Sequence, residues 1–64
     1  MMTIQSAYTA MQSGSLVRNE NFAAGVFCQM ESDGSIYDPE LGYISVTEFF
    51  DEYKYFTNGW SIYE

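Results

Sequence analysis

Residues 44–56 have the sequence ISVTEFFDEYKYF, and this stretch carries the strongest local signal in the chain. Ser45 and Glu48 have the spacing of a capping box, in which each side chain accepts a hydrogen bond from the other residue's backbone N–H. Large apolar side chains then recur at helical spacing, at Val46, Phe49, Phe50, Tyr53 and Phe56. We therefore predict a helix over about residues 46–57.

Another helix is predicted near the start of the chain, over about residues 3–13. Its apolar side chains follow the i, i+3, i+4, i+7 rule, at Ile4, Ala7, Tyr8 and Met11. Thr3 is a suitable N-cap, and Gly14 is placed to end the helix in the left-handed conformation.

The remaining segments predict short strands. Residues 22–31 alternate with a period of two, and the Asp33-Gly34 pair that follows favours the tight turn of a hairpin. The returning strand at 35–37 stops at Asp38-Pro39, because proline cannot donate to a sheet. Residues 60–63 predict a final strand. The order α-β-β-α-β predicts one α+β domain over the 64 residues, with a short antiparallel sheet packed against two helices.

The composition excludes several classes of function. The 64 residues include nine acidic and two basic side chains, no histidine and one cysteine, and the net charge is −7. Arg18 and Lys54 cannot build a basic patch for phosphates, so we expect no direct binding of nucleic acid. The usual catalytic pairs and most metal sites need histidine, and so small a domain has little room for a substrate pocket. We expect no enzymatic activity, no metal and no cofactor.

The single cysteine and the hydropathy pattern indicate where in the cell the protein is found. Cys28 lies in an apolar run and is expected to be a buried thiol. The chain has no apolar stretch of about 18 residues and no basic segment ahead of an apolar one at its start, so we expect neither a transmembrane helix nor a signal peptide. A single cysteine also fits a reducing compartment. We predict a cytoplasmic protein that does not bind membranes.

The whole net negative charge belongs to the second half of the chain. Glu20 and Arg18 cancel in residues 1–30, whereas residues 31–64 hold eight acidic side chains against Lys54. Three of the eight share one face of the predicted second helix, where neighbouring Cβ atoms are about 5–6 Å apart, close to the roughly 6–7 Å between successive phosphates. The predicted partner-binding residues are these three, the tyrosine beside them and three carboxylates on turns: Glu48, Asp51, Glu52, Tyr55, Asp33, Asp38 and Glu40.

A calcium site is the alternative interpretation of one segment. Residues 42–49 resemble the second half of an EF-hand loop, with glycine at loop position six and glutamate at position twelve. Positions one, three and five should supply the first ligands, but they are Tyr37, Pro39 and Leu41, which have no carboxylate. Since the capping box already accounts for Ser45 and Glu48, no metal site is predicted.

Two hypotheses from different classes follow. In the first, the protein is a small acidic inhibitor that occupies a basic, nucleic-acid-binding groove of a target protein or nuclease complex, with carboxylates in place of phosphates. In size and charge the chain resembles the small acidic decoy proteins of phages and mobile elements, such as anti-restriction and anti-CRISPR proteins. In the alternative, it is a structural or adaptor subunit whose acidic surface only keeps it in solution. A strand at 22–31 would carry large apolar side chains on both faces, so we also consider a homodimer.

Overall fold

Capping side chains and tight turns set the element boundaries in a computed structural model, which describes residues 2–64. Within these residues the elements are α1 (Ile4–Gln12), β1 (Val17–Asn19), β2 (Gln29–Met30), β3 (Ile36–Asp38), β4 (Gly42–Ile44), α2 (Val46–Glu52) and β5 (Trp60–Ile62). The strands form two antiparallel sheets, one of β1 and β5 and one in the order β2–β3–β4. The predicted α+β class is confirmed. The predicted order of elements holds apart from two additional strands, β1 and β4.

Helix α1 begins and ends where its sequence predicts. The Thr3 hydroxyl accepts a hydrogen bond of 3.1 Å from the backbone N–H three residues later, which satisfies one of the free donors at the helix start. At the other end Gly14 has a φ of +97°, and the N–H groups of Gly14 and Ser15 donate to the carbonyls of Met11 and Ala10. This pair of bonds is a Schellman motif, and it turns the chain out of the helix towards β1.

The β2–β3 hairpin confirms the predicted Asp-Gly turn. Gly34 has a φ of +90°, and Asp33 Oδ1 accepts hydrogen bonds from the backbone N–H and the hydroxyl of Ser35, at 2.9 and 2.7 Å. Strand β3 stops before Pro39, as predicted. The chain then reverses a second time into β4, which pairs with β3 in the register Ile36↔Ile44.

The predicted strand over residues 22–31 is wrong for most of its length. Only Gln29–Met30 pairs in a ladder, and Cys28 forms an isolated bridge with Val17. Residues 20–27 lie outside any strand and are closed into turns by backbone hydrogen bonds.

The apolar side chains that produced this alternation contact different parts of the molecule. The Phe22 ring packs against Tyr53 and Trp60, whereas the Phe27 ring packs against Tyr37 and Tyr63. The expectation of a homodimer rested on a two-faced strand in this segment. Because that strand is absent, the sequence argument for a homodimer no longer holds, and the homodimer stays a prediction.

Helix α2 begins at the predicted capping box but ends at Glu52 instead of residue 57. The Tyr53 hydroxyl donates to the Asp38 carboxylate, and the Trp60 indole N–H donates to the Phe56 carbonyl at 2.7 Å. These bonds connect the residues after Glu52 to β3 and β5. The N–H groups of Lys54 and Phe56 bond to the carbonyls three residues earlier, at Asp51 and Tyr53, so the chain tightens into turns instead of continuing the α-helix.

The core lies between the helices and the sheets, and aromatic rings dominate it. Trp60 is completely buried, and its ring centroid lies 5.4–5.6 Å from those of Phe22, Phe49 and Tyr53. The buried apolar residues are Ala7, Met11, Val17, Cys28, Ile36, Ile44, Phe49, Tyr53 and Trp60. Neither helix in residues 2–64 has the length and apolar character needed to cross a membrane.

Candidate functional site

The residues predicted to bind a partner lie in different environments. Four of the predicted carboxylates and Tyr55 are exposed: Asp33, Glu40, Glu48, Asp51 and Tyr55. Glu52 is half-buried, and Asp38 is completely buried. The predicted placement of Asp38 on an exposed turn is therefore wrong, and Glu52 does not point fully to solvent.

Glu48 is held by the capping box at the start of α2. Its Oε1 accepts a hydrogen bond of 3.0 Å from the Ser45 N–H, and the Ser45 hydroxyl accepts one of 3.1 Å from the Glu48 N–H. The bond from the Ser45 backbone, followed by the effect of its hydroxyl, lowers the pKa of the Glu48 carboxyl. Glu48 is therefore a fixed negative charge that also holds the helix start.

Asp51 and Tyr55 form an exposed corner around the lysine of this helix. Asp51 Oδ1 lies 4.0 Å from Lys54 Nζ, and the two side chains are 79% and 56% exposed. The same ammonium lies 5.4 Å from the centre of the Tyr55 ring, which is 84% exposed. An exposed pair at this distance is weak, so Asp51 and Tyr55 remain free to contact a partner.

Asp33 is exposed on the β2–β3 turn and belongs to a second acidic area. The hydroxyl and then the backbone N–H of Ser35 lower the pKa of its carboxyl. A depression of about 360 Å³ beside this turn is lined by Glu31, Ser32, Asp33, Ser35 and Tyr43. The depression combines carboxylates with the edge of an exposed tyrosine.

Asp38 organises the β3–β4 turn from inside the protein. Its Oδ2 accepts hydrogen bonds from the backbone N–H groups of Glu40 and Leu41, at 3.0 and 2.8 Å, and its Oδ1 accepts one from the Tyr53 hydroxyl. These three donors account for its burial, because a buried carboxylate is tolerated when hydrogen bonds compensate for lost water. Asp38 has a structural role and cannot touch a partner directly.

A groove of about 420 Å³ lies beside Tyr53, whose hydroxyl bonds to Asp38. It is formed by the turns of residues 20–27, by the β3–β4 turn and by the end of α2. Its lining residues are Asn21, Phe22, Ala23, Val26, Pro39, Glu40, Glu52, Tyr53 and Phe56. Aromatic rings and two carboxyl groups therefore share one concave surface, which the sequence analysis did not predict.

Glu52 is the carboxyl group in this groove whose pKa is raised. It follows Phe49 by three residues and precedes Tyr53, both buried, so it lies at the edge of the helix face that packs on the core. Its Oε1 is buried, and no donor within residues 2–64 reaches it. Burial, followed by the negative charge of Asp38, raises the pKa of Glu52 to about 7. Protonation of Glu52 removes a negative charge that would otherwise lie partly buried beside the charge of Asp38.

Cys28 lies below the same cluster and confirms the predicted buried thiol. It is completely buried, and burial, followed by the charge of Asp38, raises its pKa to about 12. Since the thiolate is the reactive form, Cys28 is not a nucleophile in the folded protein.

The outer face of the β2–β3–β4 sheet carries an aromatic row that the sequence analysis also missed. Tyr43 and Tyr37 are cross-strand partners with ring centroids 5.8 Å apart, and the row continues through Phe27 to Tyr63. Tyr43 is 70% exposed, and Leu41 beside it is 61% exposed. The alternation of Tyr37 with Ile36 and of Tyr43 with Ile44 was the available signal, since alternate residues of a strand face opposite sides.

No group of three or more carboxylate or thiol side chains within residues 2–64 is arranged to hold a metal ion. Comparisons with protein-family models, curated proteins and solved structures give no match to this chain. The functional argument therefore rests on the surface and the groove described above.

Proposed function

We propose that this protein is a small acidic inhibitor that binds the basic, nucleic-acid-binding groove of a target protein. The observation that carries the proposal is the excess of exposed carboxylates: six of the nine acidic side chains face solvent, while Lys54 is the one exposed basic side chain in residues 2–64. Five of the six lie in the second half of the chain, at Asp33, Glu40, Glu48, Asp51 and Glu64. Counter-defence, of the anti-restriction or anti-CRISPR kind, is the setting in which such an inhibitor acts.

The proposed mechanism is competition with phosphates. The exposed carboxylates attract the target's basic side chains over long range, which accelerates encounter and makes binding sensitive to salt. Tyr55 adds rigid apolar area and a hydroxyl at the same surface, as tyrosine does at many interfaces. The protein acts by occupancy and not by catalysis, in the cytoplasm, without contacting nucleic acid or membranes itself.

Capture followed by competition tests this proposal. The protein is immobilised and exposed to a bacterial lysate at low salt, and bound proteins are eluted with duplex DNA. We expect DNA to release a nucleic-acid-binding protein whose DNA binding the free inhibitor then blocks competitively. Partners that duplex DNA does not displace would contradict mimicry.

A matched pair of variants separates the specific surface from overall charge. Asp51→Asn with Glu40→Gln and Gln5→Lys with Gln12→Lys each add two positive units, and all four positions are exposed. The first pair should weaken target binding by about fivefold or more, since it removes charges from the proposed interface. The second pair, on α1, should change it by less than twofold. Equal losses would mean that only net charge matters. Glu52→Lys is unsuitable here because Glu52 is half-buried beside Asp38.

The aromatic row and Leu41 favour the alternative, an adaptor subunit with a solvated acidic surface. An interface made of Tyr37, Tyr43 and Leu41 would be largely apolar, and its affinity would respond little to ionic strength. Binding that is unchanged between low and high salt, and that Tyr43→Ser abolishes, would support the adaptor and oppose mimicry.

A further inference from the structure

The groove beside Glu52 combines aromatic ring surface with carboxyl groups, which suits a ligand that is both flat and positively charged. Phe22 and Phe56 contribute ring surface, and both rings pack on Tyr53, with centroids 5.6 and 5.8 Å away. Glu40 and Glu52 contribute carboxyl groups. None of the lining residues is basic.

The nearby arginine does not neutralise this groove from outside its lining. Arg18 Nη2 donates a hydrogen bond of 3.0 Å to the Phe22 carbonyl, and no carboxylate within residues 2–64 lies within ion-pair distance of its guanidinium. Lys54 instead lies near Asp51. The carboxyl groups of the groove are therefore unpaired with any cation of the described chain.

We propose that this groove binds one arginine side chain of the target protein. The inference rests on the proposed function and adds to it a specific contact inside the acidic surface. A guanidinium is planar and weakly hydrated, so it can stack on the Phe22 and Phe56 rings while its N–H groups donate to Glu52 and Glu40. The volume of about 420 Å³ lies within the range of small-ligand pockets and admits such a side chain.

The binding of a guanidinium is linked to the proton on Glu52. The titratable groups that face Glu52 are Asp38 on β3, Glu40 on the following turn, Tyr53 at the end of α2 and Cys28 ahead of β2. None of them carries a positive charge, so an arriving guanidinium is the first cation that the Glu52 carboxyl meets. It favours the carboxylate, and the displaced proton passes to the buffer.

A small probe tests the groove without any target protein. N-acetyl-arginine methylamide is titrated into the protein at pH 6.5 and followed by NMR, with the uncharged citrulline analogue as a control. We expect saturable shifts at Phe22, Glu52 and Phe56 for the arginine compound, with a dissociation constant in the millimolar range. Calorimetry in buffers of different ionisation enthalpy should detect proton release on binding.

Two variants complete the design. Glu52→Gln should weaken the arginine probe at least fivefold and abolish proton release. Glu20→Gln removes an exposed carboxylate that neither lines the groove nor belongs to the proposed interface, and it should change the affinity by less than twofold. Equal binding of the citrulline analogue, or unchanged affinity in Glu52→Gln, would overturn the proposal. Shifts spread evenly over Glu48 and Asp51 would also overturn it. Because no target is present, failure here leaves the capture experiment unaffected, and failed capture leaves this result standing.

Discussion

Helix α2 carries two kinds of carboxylate within one turn and a half. Glu48 and Asp51 face water, and hydrogen bonds from Ser45 lower the pKa of Glu48. Glu52 turns towards the core and Asp38, and its pKa is raised to about 7. The residue type and the helix are the same, so the difference comes from position relative to the buried face. We call Glu48 and Asp51 the outer carboxylates and Glu52 the inner carboxylate. Glu48 is a fixed negative charge, whereas Glu52 exchanges a proton with solvent near neutral pH.

We expect the largest loss of stability from removing Asp38, the buried carboxylate beside Glu52. In Asp38→Ala, the N–H groups of Glu40 and Leu41 and the hydroxyl of Tyr53 lose their acceptor. The Tyr53 bond is buried and the two N–H bonds are partly buried. Since an unsatisfied buried group costs about 1–3 kcal/mol and a partly exposed one less, we expect a loss of about 2 kcal/mol or more in the free energy of unfolding. Urea denaturation measures this loss. Asp38→Asn keeps one acceptor oxygen and should lose less. A loss below about 1 kcal/mol in the alanine variant would mean that the turn does not depend on Asp38.

Glu52 should make stability depend on pH. Its folded pKa is about 7, raised above its ordinary value of 4.5. Between these values the folded state holds a proton that the unfolded state has released, so the free energy of unfolding falls as pH rises. The full shift would correspond to about 3 kcal/mol, and partial solvation of the groove reduces our expectation to about 1–2 kcal/mol. The protein should therefore melt at a higher temperature at pH 5 than at pH 8.

Glu52→Gln is the control for this pH effect. Glutamine imitates the protonated acid, so the variant should melt at nearly the same temperature at pH 5 and pH 8, and above the wild type at pH 8. The pH range avoids the acid region in which the lowered pKa values of Glu48 and Asp33 become important. Those two groups stabilise the fold above their ordinary pKa, and that contribution is lost only as pH falls further. An unchanged pH slope in Glu52→Gln would place the titrating group elsewhere.

Ser45→Ala tests how much the capping box with Glu48, at the start of α2, contributes to stability. The variant loses the hydroxyl that accepts from the Glu48 N–H at 3.1 Å. Loss of an N-cap costs about 1 kcal/mol, which should lower the melting temperature by about 4–8 °C in a domain of this size. Glu48→Gln keeps the capping-box pattern and should lose less. Identical melting of Ser45→Ala and the wild type would show that the cap contributes nothing.

Asp51→Asn should have the smallest effect on stability. Its carboxylate is 79% exposed, and its ion-pair partner within residues 2–64 is Lys54, at 4.0 Å. We expect a change of less than about 0.5 kcal/mol, measured by urea denaturation beside Glu52→Gln. A larger change would erase the distinction between outer and inner carboxylates on this helix.

Local signals explain which elements could be predicted from the sequence. Thr3 and Gly14 bound α1, Ser45 and Glu48 begin α2, and Asp33 closes the hairpin, all through contacts a few residues apart. Such contacts depend on short segments of sequence, and these predictions were confirmed.

Long-range contacts explain the errors. The segment 22–31 resembled a strand because its apolar residues alternate, but Phe22 packs on Trp60, far along the chain. Asp38 was expected at the surface because its turn looked polar, and its burial depends on Tyr53, fifteen residues later. The exposed positions of Glu48, Asp51 and Tyr55 could be predicted from the helical spacing. The groove could not, since it forms where three separate segments meet.

The pairing of the two chain ends has a consequence for the rate of folding. Met2 exchanges both backbone hydrogen bonds with Trp60, and β1 pairs with β5 across most of the sequence. Such contacts give a high contact order, because nearly the whole polypeptide must close into a loop before they form. We therefore expect the central indole to join the core after the local turns have formed. We infer that this small domain folds more slowly than helical proteins of its length.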